Sequence, residues 1–251
     1  MADTIVYYGD LALTEEITLS VANEVSGFPK ENLLDPDFGK ILKINDLFEA
    51  PVICYSGDGS AALAIKGAAL FNISLAAGDT LKFQGSNDSF STTPGDLTVT
   101  IRTHPVTGER YAYVDADWEY KKYRFLLTQA ALGYITIGGL SLYQSKLTLD
   151  PDVRQDYEWG NLSVHKQLSG AETTGTVRRR RMFRRMVGRF LLMYTDQESY
   201  LENIAEDERV LLLPSWESPN GFPGALSMDA PPVHHYEGAE VTLTFTENTT
   251  G

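Results

Sequence analysis

Short segments in which apolar and polar residues alternate dominate the first 145 residues. An alternation with a period of two is typical of strands that bury one face. In residues 81–84, for example, Leu81 and Phe83 alternate with Lys82 and Gln84. Clusters of Gly, Pro, Asn and Asp bound the segments at the spacing expected of a β-sandwich. The predicted strands are 4–8, 16–21, 81–84, 97–102, 111–114, 123–128 and 134–143.

Three turns complete the prediction for this part of the chain. Gly9-Asp10 is a turn dipeptide and separates the first two predicted strands. Residues 26–36 predict a turn with a short helical stretch that ends before Pro36, because the residue before a proline disfavours the helical conformation. Residues 57–60 are glycine-rich but lack the lysine and the helix start of a phosphate-binding loop, which favours a simple turn.

The pattern changes after Asp150-Pro151-Asp152, where a turn signal follows the last of these strands. A long β-type segment spans 178–194, and Thr195 with Glu198 forms a capping box that predicts a following helix. Two further strands are predicted at 210–213 and 240–246, separated by a proline- and glycine-rich loop at 215–232. The sequence therefore predicts a β-sandwich over 1–146 and a smaller α+β domain over 147–251, with one helix and a few antiparallel strands.

The charge is distributed unevenly along the chain. The sequence has 21 Lys and Arg against 34 Asp and Glu, a formal net charge of −13. One segment of twelve positions, 178–189, holds seven arginines and no acid, and without it the balance is −20. The seven are Arg178, Arg179, Arg180, Arg181, Arg184, Arg185 and Arg189. An acidic protein with a single basic strand favours contact between that strand and an acidic surface over nucleic-acid binding, which needs a positive field.

None of the common catalytic or metal-binding motifs is present, so we expect a protein that is not an enzyme and holds no cofactor or metal. The paired carboxylates at 35 and 37, 115 and 117, and 150 and 152 are interpreted as turn residues. The four histidines are interpreted as surface residues, and the lone Cys54 as a small core residue. No apolar run approaches the ~18 residues of a membrane span, and no secretory leader is recognisable, so a cytosolic origin is expected.

Several runs of the N-terminal part carry a family resemblance. Residues 27–35 read Gly-Phe-Pro-Lys-Glu-Asn-Leu-Leu-Asp, which resembles the "GFPxxNLLD" stretch of the discoidin-like modules in phage tail and baseplate proteins. The runs at 64–73, 81–88, 123–127 and 134–143 follow in the order that this family uses. The sequence departs from the family at 37–43, where "YWRS" is usual, and at 67–70, where many relatives have "GHNL".

The resemblance implies a discoidin-like jelly-roll sandwich in a structural protein of a long-tailed phage tail tip or baseplate, assembled in the host cytoplasm into the virion. Its partners would be copies of itself, in a trimeric or hexameric ring, and neighbouring tail proteins. The arginines of 178–189 are the predicted contact residues, since Arg pairs bidentately with carboxylates.

The alternative is a carbohydrate-binding module that contacts a glycan of the host surface. Three aromatic residues near predicted turns are the candidates for stacking on sugar rings, although packing in the core is the commoner role of such residues in a β-rich chain. The three are Tyr55, Trp118 and Tyr120. The departures from the family motif remove polar and aromatic groups, which favours the scaffold over sugar binding.

Overall fold

Antiparallel strands make up nearly all the regular structure in the computed structural model of the chain. The structure describes residues 4–13, 17–35, 39–45, 48–56, 58–76, 78–104, 108–149, 155–168, 175–193, 209–213, 221–228, 233–234 and 238–247. The strands are β1 Thr4–Asp10, β2 Ile17–Val21, β3 Leu42–Asn45, β4 Glu49–Ser56, β5 Leu63–Phe71, β6 Thr80–Ser86, β7 Gly95–Thr98, β8 Ile101–Thr103, β9 Arg110–Tyr120, β10 Lys122–Thr128, β11 Tyr134–Ile137, β12 Gly139–Leu149, β13 Gln155–Leu168, β14 Gly175–Met193, β15 Val210–Leu213, β16 Phe222–Met228, β17 Val233–His234 and β18 Gly238–Glu247. A short 3-10 helix, Lys30–Leu34, lies between β2 and β3.

The strands form three sheets. The five-stranded sheet has the order β2-β4-β10-β6-β7, and the two-stranded sheet joins β11 and β3. The largest sheet has eleven strands, in the order β13-β14-β18-β16-β15-β1-β12-β5-β9-β8, with β17 beside β18. The mainly β prediction is therefore confirmed for the described residues.

An apolar core fills the space between the five-stranded sheet and the β12-β5-β9 part of the large sheet. In β10, Tyr123, Phe125 and Leu127 are buried, while the residues between them are half-buried. Phe83 of β6 is fully buried and lies against both Tyr123 and Phe125, with ring centroids 5.7 and 4.7 Å away. The period of two read from the sequence thus selects the residues that face this core.

The strands after residue 149 continue the large sheet. β15 pairs with β1, with Ile5 opposite Leu213 and Tyr7 opposite Leu211. Leu211 packs with Tyr7 and Tyr143 in a second buried cluster. Described strands from both sides of the predicted boundary at 146 therefore share one sheet, and the division into two domains stays a prediction.

A buried ion pair joins the end of β1 to the residue that precedes β15. Asp10 at the end of β1 and Arg209 before β15 are both fully buried, with Oδ2 of the carboxylate 3.4 Å from a terminal guanidinium nitrogen. The carboxylate also accepts hydrogen bonds from the backbone N–H groups of Ala12 and Leu142, each at 3.0 Å, and from Ser141 Oγ at 2.6 Å. The guanidinium donates to the carbonyl of Leu140 at 2.8 Å and to that of Asp35. Two charges removed from water thus have several polar partners each.

Several predictions of secondary structure are wrong in an instructive way. Gly9-Asp10 is not a turn but the end of β1, and the turn follows at 11–13. The segments predicted as single strands at 97–102 and 134–143 are each divided, because their two halves pair with strands of different sheets. The loop predicted at 215–232 contains β16, which pairs with β15 and β18.

Three interpretations of single residues are also settled. Asp115 and Asp117 lie within β9 and not in a turn, and they pair with Lys146 and Lys66. His104 is buried, although a surface position was expected. Cys54 is buried as expected, and this burial raises the pKa of its thiol well above the usual value. The helix predicted after Thr195 and the boundary at Asp150 to Asp152 lie outside the described residues.

The other predicted strands are confirmed as far as the described residues extend. The strands predicted at 210–213 and 240–246 are β15 and β18. The described part of the long segment predicted at 178–194 belongs to β14. The helical stretch before Pro36 is the 3-10 helix Lys30–Leu34.

Candidate functional site

A groove of about 760 Å³ lies at one end of the sandwich. Three connections form it: the loop between β5 and β6, the loop between β8 and β9, and the loop between β10 and β11. The residues that line it are Asn72, Ile73, Ser74, Leu75, Ala76, Asp79, Gly108, Glu109, Arg110, Gln129, Ala131, Leu132, Gly133 and Tyr134. Its volume is within the range of about 300 to 1,000 Å³ that is usual for small-ligand sites.

Hydrogen bonds between the loops fix the rim of this groove. The Asp79 carboxylate accepts from the backbone N–H of Ala76 at 2.6 Å and from that of Ala130 at 2.8 Å, which ties two of the loops together. Ser74 and Thr136 exchange two bonds: the Ser74 N–H donates to the Thr136 carbonyl, and the Thr136 N–H donates to Ser74 Oγ, both at 2.9 Å. The two described sides of the rim that are joined in this way are preorganised, so a ligand need not order them on binding.

The walls of the groove combine two kinds of group. Tyr134 and Leu132 are large apolar side chains that are 56% and 52% exposed. Glu109, Arg110 and Gln129 add a carboxylate, a guanidinium and an amide, which together both donate and accept hydrogen bonds. The groove therefore offers an apolar surface beside planar polar groups.

Exposed apolar side chains concentrate at this same end. Phe28, Phe48, Leu132 and Tyr134 are all more than a third exposed. Phe48 is next to the groove, because its backbone carbonyl accepts a hydrogen bond of 2.8 Å from the N–H of the groove residue Gln129. Phe28 and Tyr134 are joined by Lys43, whose Nζ lies 5.7 and 3.7 Å from their ring centroids. Exposed apolar side chains that cluster in this way are typical of binding sites.

The three aromatic residues predicted to stack on sugars lie at the opposite end of the sandwich. β10 runs from Lys122, which is paired with Tyr55, to Thr128, next to the groove residue Gln129. Tyr55 is half-buried there, with Lys122 Nζ 5.4 Å from its ring centroid. The groove and the predicted aromatic site are therefore separated by the length of β10.

Trp118 and Tyr120 pack against the core. The Trp118 ring stacks on Phe83 with centroids 5.6 Å apart, and Tyr120 meets it edge to face at 5.8 Å. Both rings rest on glycines, Tyr120 on Gly85 and Trp118 on Gly95, where an added Cβ atom would overlap the ring. Their predicted role in sugar binding stays a prediction.

The predicted arginine contact residues, 178–189, belong to β14, in a different part of the large sheet from the groove. β14 pairs with β13 along 175–188, whereas β18 pairs with it only along 185–193. Five of the seven arginines, at 178–181 and 184, thus lie in the part of β14 that pairs only with β13 among the described strands.

Sequence reasoning missed the groove because its residues carry no motif. The sequence pattern predicts that Tyr134 begins a strand and that Gln129 and Leu132 lie between two strands. Within the described part of the chain, no cluster of three or more His, Cys, Asp or Glu is arranged to hold a metal ion. No helix there is long and apolar enough to cross a membrane.

No protein-family model matches the sequence, and no curated protein matches it. Solved structures do resemble it, over about half of the chain. A family 32 carbohydrate-binding module of Clostridium perfringens NanJ, in complex with galactose, is 14% identical, with a TM-score of 0.41, over 55% of this chain and 98% of the module. A chitosan-binding module of a Paenibacillus chitosanase/glucanase is 17% identical, with a TM-score of 0.41, over 55% of this chain and 99% of the module.

A third similar structure is a fucose-binding module of Streptococcus pneumoniae, 10% identical with a TM-score of 0.42 over 55% of this chain and 98% of that one. These three structure neighbours are thus carbohydrate-binding modules. None of the three is a phage tail or baseplate protein. The tail-tip role and the virion location have no support from these comparisons.

Proposed function

We propose that this chain is a non-catalytic carbohydrate-binding module and that its binding site is the groove lined by Tyr134, Leu132, Glu109, Arg110 and Gln129. The observation that carries the proposal is the composition of the groove, with apolar surface and hydrogen-bonding groups side by side on a fixed rim. A sugar ring has a face of C–H groups, which packs on an aromatic or aliphatic side chain, and hydroxyls at its edge, which both donate and accept.

The site differs from the one predicted from the sequence. The predicted trio is half-buried, and two of its members pack on the core, whereas Tyr134 is 56% exposed and lines the groove together with the half-buried Glu109 and Arg110. An exposed ring has more surface to bury on binding, and burial of apolar surface drives association.

We expect the chain of 251 residues to bind immobilised neutral saccharides saturably, and Tyr134→Ala to weaken that binding about tenfold or more. Loss of one stacked ring removes an interaction of the order of 1 kcal/mol together with its buried area, and about 1.4 kcal/mol corresponds to tenfold in affinity. A glycan array identifies the saccharide, and isothermal titration calorimetry then measures the affinity of each variant.

Tyr55→Ala is the matched control, because it removes the same side chain at the other end of the sandwich. It should leave the affinity unchanged within about twofold. Thermal unfolding of both variants excludes a loss of fold. A protein that binds no saccharide, or one that loses binding through Tyr55 and not Tyr134, would refute this site.

We also propose a second function, self-association or contact with neighbouring proteins through the ribbon of β13 and β14. Along 175–184 the two strands form a two-stranded ladder with no third strand from the described residues. Such ribbons are marginal in water by themselves, and their open edges accept further strands. The ribbon carries Arg178 to Arg181 in a protein whose remaining charge is strongly negative.

Replacement of Arg178, Arg179, Arg180 and Arg181 by Ser should lower self-association, with little effect on unfolding. Contacts between a basic strip and an acidic face weaken with added salt, so the wild-type mass should also fall as salt is raised. Light scattering after size-exclusion chromatography measures both effects. A wild-type protein that is monomeric at every salt concentration and at high protein concentration would contradict the proposal, and with it the predicted assembly into a tail-tip ring.

A further inference from the structure

The Lys43 ammonium occupies an unusual position beside the groove. Its Nζ lies 3.7 Å from the centroid of the Tyr134 ring and 5.7 Å from that of Phe28. Lys43 itself is half-buried, whereas both rings are exposed, by 56% and 38%. A cation between two exposed rings forms a small surface, the Phe28-Lys43-Tyr134 patch, which is both aromatic and positively charged.

Five other lysines have an ion pair with a carboxylate, whereas Lys43 has none among the residues that the structure describes. Lys30, Lys66, Lys82 and Lys146 each have a carboxylate oxygen at 2.6 to 3.5 Å. Within the described ranges no carboxylate is ion-paired with Lys43, although the chain has 34 acidic residues. Its charge is balanced instead by the faces of two rings, each worth about 0.5 to 2 kcal/mol.

The patch is continuous with the groove. Tyr134 belongs to both, since it lines the groove while Lys43 lies over its ring. Lys43 also pairs across the small sheet with Thr136, whose backbone is bonded to the groove residue Ser74. A ligand longer than one sugar that enters the groove therefore reaches Lys43 as it passes Tyr134.

We infer that the Phe28-Lys43-Tyr134 patch is a subsite for an anionic substituent, a carboxylate or a sulfate, on the saccharide that the groove holds. The inference rests on the proposed function and adds the class of ligand. An ammonium that lies 3.7 Å from a ring centroid has exchanged part of its hydration shell for the ring face, so an incoming anion displaces less water there than at a fully hydrated lysine. The lysine ammonium is a compact point charge that can bind either anion. The two rings beside it can pack on the sugar to which the anion is attached.

The acidic body of the protein does not prevent this contact. At physiological ionic strength the screening length is about 8 Å, so distant carboxylates act weakly on a ligand at the patch. The contact between Lys43 and the anion is direct and partly desolvated, and it is screened much less.

The test compares three ligands: a neutral oligosaccharide that the array identifies, the same chain with a uronic acid, and the same chain with a sulfate. Wild-type protein should bind at least one acidic form about tenfold tighter than the neutral form, as expected for one charge-assisted hydrogen bond. Lys43→Met should abolish this preference and Lys43→Arg should retain it. The two acidic arms decide between carboxylate and sulfate.

Lys121→Met is the matched control, since it removes one positive charge at the opposite end of the sandwich and should leave the preference intact. Equal wild-type affinity for neutral and acidic forms would overturn the subsite while the proposed function stands. Retention of the preference in Lys43→Met would overturn the role of this residue. Absence of binding to every saccharide would overturn both proposals.

Discussion

Arg209→Met should destabilise the protein by about 3 to 5 kcal/mol, because it leaves the Asp10 carboxylate buried without its charged partner. Both side chains are fully buried, and the guanidinium also donates to the Leu140 carbonyl at 2.8 Å. Methionine keeps much of the volume of the arginine and removes its charge and its donors. Urea unfolding followed by circular dichroism measures the change in the free energy of unfolding.

Two controls separate the ion pair from other effects. Lys66→Met breaks the exposed pair with Asp117, whose atoms are only 2.7 Å apart, and should cost no more than about 1 kcal/mol. The double variant Asp10→Asn with Arg209→Met removes both charges, so it should be less destabilised than Arg209→Met alone. A loss in Arg209→Met no larger than that in Lys66→Met would contradict this account of the junction.

Phe83→Ala should cost about 3 to 5 kcal/mol, as is usual when a buried aromatic side chain is truncated. Phe83 is fully buried and its ring contacts three others, with centroids at 4.7 Å for Phe125, 5.6 Å for Trp118 and 5.7 Å for Tyr123. The ring lies at the centre of this aromatic cluster, so its removal leaves a cavity that the stacked neighbours cannot close without moving.

Phe48→Ala is the matched control, since it removes the same side chain at a position that is 58% exposed. Its effect on the free energy of unfolding should stay within about 0.5 kcal/mol. Both variants are compared by urea unfolding with tryptophan fluorescence, to which Trp118 beside Phe83 contributes as one of three tryptophans. Similar losses in the two variants would show that Phe83 does not anchor the core.

The aromatic cluster could be predicted from local sequence, whereas the ion pair could not. Phe83 was placed correctly by the sequence, because it alternates with Lys82 and Gln84 within one short strand. Asp10 was misread as a turn residue, because Gly-Asp is a common turn dipeptide and nothing near it in the sequence indicates burial. Its partner Arg209 is 199 residues away.

The candidate site divides in the same way. Aromatic residues near turns were the candidates predicted from the sequence, and they include Trp118 and Tyr120, whose rings pack against the core. Tyr134 is also aromatic and near a turn, but only the pairing of β11 with β3 leaves its ring exposed above Lys43. The groove needs three loops from separate parts of the chain, none of which has a motif.

The sequence by itself determined that this protein is built mainly of strands, that alternate residues of a strand such as β6 face a core, and where its basic segment lies. These are local properties, since strand periodicity and charge are read from neighbouring residues. The tertiary structure alone decided which strands pair, that Asp10 and Arg209 meet in the interior, and that a groove forms beside Tyr134. Each of these depends on contacts between residues far apart in the chain, and the energy of such contacts follows from burial and geometry that no short run of sequence contains.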